Sequence, residues 1–130
     1  MNGLELRKAA LEAAGWKVGE WESGLYNLLD PDSIPRKASD TPNANIAAAF
    51  ITETDAWQHA PAVESSVDAA LRWLVLGEGC NWTLASYIAG LVEPGWIARI
   101  TGEGGRTVFC DTDTLAVAMC QAYLQYKAGA

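Results

Sequence analysis

Arg99 and Arg106 are the pair of side chains in this sequence whose type and spacing suggest a definite chemistry. Between them runs Gly102-Glu103-Gly104-Gly105, a turn sequence, and a hairpin closing symmetrically over it sets Thr101 opposite Arg106 and Arg99 opposite Val108. Opposed residues of an antiparallel pair share a face. The two guanidiniums are then diagonal neighbours on one side of the sheet, with Trp96, Ala98, Ile100 and Phe109 on the other. Two such forks can grip the phosphates of a small nucleotide, and Trp82 or Tyr87 on an adjoining strand can stack a base. The competing reading leaves both arginines solvated or paired with Glu93, Glu103 or helix carboxylates.

Other residue types that do chemistry are present without the partners they need. His59 is the one histidine, and before Ala60-Pro61 it reads as an exposed or capping residue, so no Ser or Cys nucleophile has an evident base. Cys80, Cys110 and Cys120 are an odd set with no C-x-x-C pair, which suits reduced, buried thiols better than a disulfide framework. A structural zinc needs four ligands, and no short-spaced Cys or His pair exists to begin one. Asp111-Thr112-Asp113 lacks the glycine and the further carboxylate of a calcium loop and reads as a helix cap, with Asp113 the expected acceptor. The Gly102–Gly105 segment lacks the Lys-Ser/Thr of a phosphate loop. No metal, cofactor or enzymatic activity is expected. Trp21 and Trp57 fall in polar stretches and are candidate exposed anchors for a protein interface.

The elements that must position these residues follow from patterning. A chain of 130 residues, half of them apolar and six of them Trp, can bury one core but not two, so residues 1–130 read as a single domain. Asn2 caps a helix over 3–14, and Gly15 ends it. Trp16-Lys17-Val18 and Leu25–Leu29 read as strands, and the Pro- and Asp-rich segment 30–42 as a loop. A second helix is expected from Asn43 through Phe50, ending before the polar stretch 52–58. A third is expected to begin at Pro61 and bury Val63, Val67, Ala70, Leu71 and Leu74. Strands over 82–88, 96–101 and 106–110 form a meander, and a last helix over 114–127 is apolar on two sides, as a sandwiched helix is.

Charge narrows the partners. Nine Lys and Arg against sixteen Asp and Glu give −7, with the cations scattered, so DNA and RNA binding is disfavoured. No apolar run approaches the roughly eighteen residues of a membrane span, and charges interrupt the N-terminal residues where a signal peptide would be apolar.

Three segments in order, Gly15-Trp16-Lys17-Val18, Asn45-Ile46-Ala47-Ala48-Ala49-Phe50 and Asp113-Thr114-Leu115-Ala116-Val117-Ala118-Met119-Cys120-Gln121-Ala122, give a chain that resembles the phage ABA sandwich domain family. That family tends to show Asp and Trp where Asn45 and Phe50 stand, and often Arg where Gln121 stands. The resemblance implies an α/β/α layering and a phage origin, and it implies no catalytic residues. The expected fold is thus α+β, an antiparallel sheet of three to five strands covered by helices on both faces. The expected function is a phage-encoded, non-enzymatic counter-defence protein of the host bacterial cytoplasm. It would sequester a nucleotide-type immune signal through Arg99 and Arg106, with a homodimer or higher oligomer as a reasonable assembly. The alternative is an interaction module that binds and inhibits a host defence protein.

Overall fold

Asn2 starts the first helix because its side-chain oxygen accepts the Glu5 N–H at 2.8 Å, satisfying one of the donors a helix leaves free at its start. The helix α1 runs Gly3–Ala13. Gly15, at φ +106°, then turns the chain where a Cβ would be strained and would lie 3.2 Å from Pro31. The computed structural model describes residues 2–22, 24–34, 36–38, 41–42, 50–88, 94–102, 105–111 and 114–129. It describes their side chains except at 21–22, 36–38, 41–42, 87–88, 94, 105–111 and 129.

Strands β1 (Lys17–Glu22) and β2 (Leu25–Leu29) pair antiparallel, with a register shift between Glu20 and Glu22. Within the expected loop, β3 (Arg36–Ala38) and β4 (Thr41–Pro42) form a second, minimal pair. The expected second helix falls on residues 43–49, outside the described residues; Phe50, at its end, is extended and exchanges backbone hydrogen bonds with Tyr26 at 2.8 and 2.9 Å.

The polar stretch 52–58, for which the sequence predicts no element, holds helix α2 (Glu53–Gln58), whose Thr52 side chain accepts the Asp55 N–H at 3.0 Å. The third helix is shorter than its apolar pattern predicts. Residues 63–65 form a turn, and α3 (Val67–Trp73) starts behind Ser66, whose hydroxyl accepts the Ala69 N–H at 3.2 Å. Ala70 and Leu74 are buried as expected, whereas Leu71 is 48% exposed.

The meander β5 (Asn81–Ile88), β6 (Pro94–Gly102) and β7 (Gly105–Asp111) is a three-stranded antiparallel sheet in that order. Helix α4 (Leu115–Gly129) follows. Its cap is Thr114, whose hydroxyl accepts the Val117 N–H at 3.1 Å; the expected acceptor Asp113 lies outside the described residues. α4 packs on β6 and β7 with one side and on α1 and α3 with the other, which accounts for its two apolar sides. Ala98 and Ile100 on β6 are buried with Met119 and Tyr123 of α4 in one core that reaches Leu11, Trp16 and Leu28.

The fold is therefore α+β. The expected layering with helices on both faces is not confirmed: among the described residues the helices that pack on the three-stranded sheet lie on one side, and Asn81, Thr83 and Ala85 on its other side are exposed. No described helix is long and apolar enough to cross a membrane.

Candidate functional site

The open face of the sheet is built by register. β6 and β7 pair Thr101 with Arg106 and Arg99 with Val108, the register a symmetric turn predicts. Positions 99 and 106 are diagonal neighbours on one face, joined there by Thr83, which opposes Arg99 across β5 and β6. The Arg106 side chain lies outside the described residues. Arg99 is half-buried, and its Nε is fully buried with no hydrogen-bond partner. A charged donor removed from water with nothing accepting from it is costly, and such a group marks a place where an acceptor is wanted.

The two aromatic residues expected beside the arginines separate. Trp82 opposes Ile100, a buried core residue, so it stands on the helix-covered face and cannot stack a base held by Arg99. It packs against the core, and its Nε1 is buried without a partner. Tyr87 occupies the same face as position 99 by register, opposite Gly95, and its side chain lies outside the described residues. The two residues are five apart on one strand, an odd number, so they point to opposite faces wherever that strand pairs.

The expected interface anchors also divide. Trp57 is 3% exposed, because the polar stretch that carries it is a helix whose inner side is Ala56 and Trp57. It is a core residue and not an exposed anchor. The backbone of Trp21 belongs to β1 at its register shift, and its side chain lies outside the described residues.

A groove of about 490 Å³ runs between α3, α4 and the turn after β2. Asp30, 2% exposed, forms one wall; its Oδ1 accepts the N–H groups of Asp32 and Ile34, both at 2.9 Å. Arg72 lies 4.9 Å over the Trp73 ring and Lys127 5.7 Å from the Tyr123 ring, so both cations at the groove already rest on aromatic faces. The Tyr123 hydroxyl donates to the Val75 carbonyl at 3.0 Å. A local signal did exist in Asp30-Pro31-Asp32-Ser33, a turn sequence in which the first Asp binds its own backbone.

The thiols are placed for packing. Cys120 is fully buried and its thiol is pushed up to about 12, first by burial and then by the charge of Glu64, so it is no thiolate near neutral pH. Tyr123 is likewise pushed up to about 12 by burial and then by Tyr126. Cys80 and Cys120 are free thiols, and the Cys110 side chain lies outside the described residues. His59 is exposed and caps α2, with Nδ1 2.8 Å from the Asp55 carbonyl. No protein-family model matches the chain, and neither a curated protein nor a solved structure does.

Proposed function

We propose that this chain is a non-enzymatic binding protein that holds a small phosphorylated, nucleotide-type ligand against the open face of its three-stranded sheet. The observation that carries the reading is the buried, unpartnered Nε of Arg99 on a face whose neighbours Thr83 and Ala85 are exposed. A phosphate oxygen is the acceptor such a guanidinium fits best, because it takes a charge-assisted bond in the fork's own plane. Arg106, one diagonal step away by register, supplies the second fork, and Tyr87 is the aromatic candidate left on that face. In biological terms the proposal is a phage protein, as the resemblance to the ABA sandwich domain family implies. It would sequester a nucleotide immune signal in the host cytoplasm.

Thermal shift against cyclic dinucleotides and ADP-ribose tests this. A bound ligand at a hundredfold excess over its dissociation constant stabilises the fold by about 2.7 kcal/mol, which raises the melting temperature measurably. Arg99→Ala is expected to abolish the shift and keep the fold. A library that never moves the transition, or one that moves wild type and Arg99→Ala alike, contradicts the reading.

The second reading, inhibition of a host defence protein, loses Trp57 but gains Leu71 near the end of α3 and Val75 just beyond it, which are 48% and 62% exposed. Its mark would be a host partner whose recovery falls with Val75→Asp and is untouched by Arg99→Ala.

A further inference from the structure

We infer that two copies of this chain join through their β5 strands, turning two three-stranded sheets into one continuous antiparallel sheet. Among the described residues β5 is an edge of its sheet, so every second residue along it turns an N–H and a C=O outward, and no described strand receives them. Proteins keep such edges apart with charge, proline, bulges or brevity. β5 has none of these: Asn81-Trp82-Thr83-Leu84-Ala85-Ser86-Tyr87-Ile88 contains no charged residue and no proline, spans eight residues, and pairs with β6 without a register shift. The other strands contrast with it. β7 carries Arg106 and Asp111, while β1 carries Lys17, Glu20 and Glu22 and an irregular register. β2 is likewise free of charge and proline, but its Tyr26 exchanges backbone hydrogen bonds with Phe50; among the described strands β5 is the long, regular, charge-free edge.

A second copy is the occupant that fits. An antiparallel pair of identical strands is related by a two-fold axis, so β5 complements itself about an axis near Leu84 and Ala85, in the closed, isologous arrangement of most dimers. Such an axis stands perpendicular to the sheet. It keeps both open faces on one side and both α4 helices on the other, so the joined sheet presents two Arg99 side chains on a common surface. The exposed Asn81, Thr83 and Ala85 side chains lie along the seam. Each copy carries −7, so the approach is opposed by net charge and the neutral strand is where that opposition is weakest. The inference stands whether or not the open face holds a phosphate.

Sedimentation of the whole chain over a range of concentrations, with hydrogen exchange at each, tests it. Wild type is expected to pass from monomer to dimer, with β5 amides gaining protection as it does, and with tighter association at higher salt. Ala85→Lys puts two cations beside the axis and is expected to weaken association by on the order of a hundredfold. It also reduces the magnitude of the net charge carried by each copy, −7 in wild type, by one, so general repulsion cannot explain that loss. Thr54→Lys on exposed α2 makes the same charge change away from the strand and should leave association unchanged or slightly tighter. A wild type that stays monomeric overturns the inference. So does an Ala85→Lys chain, folded by circular dichroism, that pairs as well as wild type, or a dimer protected at β7 and not at β5.

Discussion

Two arginines of this chain sit in opposite circumstances. Arg7 on α1 sends Nε and Nη2 to the two Glu64 oxygens at 2.8 and 2.9 Å, and Nη1 to the carbonyls of Trp57 and Gln58 at 3.1 and 3.0 Å. Both side chains of the pair are largely buried, at 14% and 12% exposed, and they tie α1 to α2 and to the turn ahead of α3. Arg7→Ala strands the Glu64 carboxylate and is expected to cost roughly 3 kcal/mol in urea denaturation. Arg7→Lys cannot restore a bidentate fork. Arg99, whose Nε bonds to nothing, should behave differently: removing it relieves an unsatisfied buried donor, leaves stability at or above the wild-type value and takes away ligand response. Cys120 and Tyr123 add a pH effect. Both are held neutral in the fold up to about 12, while unfolded they release protons near 9 and 10. Above pH 9 the unfolded chain therefore binds fewer protons than the folded one, and stability falls as the pH rises. Melting temperatures are expected to drop from about pH 9 upward, and Cys120→Ala should flatten the first part of that decline. At this scale the sequence was legible where a rule of parity applied, as for Arg99 and Arg106. The same parity separates Trp82 from Tyr87.

Elements with strong punctuation were legible too. Asn2 and Gly15 bracket α1 as read, and the meander follows from the turn signals around it. Its geometry is tight at Gly102, where a Cβ would fall 2.6 Å from the Cys80 sulfur and 3.0 Å from the Cys80 Cα. Helix α2 was missed because six residues give under two turns, too few for an apolar period, and its only buried residues are the adjacent Ala56 and Trp57. What starts it is the Thr52 cap and the acidic first turn of Glu53 and Asp55. Thr52→Ala is accordingly expected to cost about 1 kcal/mol, read from the denaturant midpoint, and to loosen Trp57 fluorescence from its buried state. In α3 the apolar stripe runs on into a turn, because Ser66 offers a cap that Pro61 does not compete with.

Across the whole molecule the burial pattern sets what the surface can do. α4 is the central layer, with the sheet on one side and α1 and α3 on the other, so no described helix covers the far face of the sheet. The sequence showed that α4 had two apolar sides, but not which elements occupy them, since that is decided by long-range packing. The same arrangement gives the chain its two unsatisfied surfaces, the open face with Arg99 and the neutral edge of β5. The claim at the centre is that Arg99 awaits a phosphate. It is tested most directly by following the Nε–Hε resonance of Arg99 in a ¹H–¹⁵N spectrum while ADP-ribose or a cyclic dinucleotide is titrated in, with Arg7 as the internal reference. A saturable shift of the Arg99 signal, with Arg7 unmoved, is the expected result. An Arg99 signal that stays in place while a ligand binds elsewhere, or while every such ligand is ignored, would contradict the account.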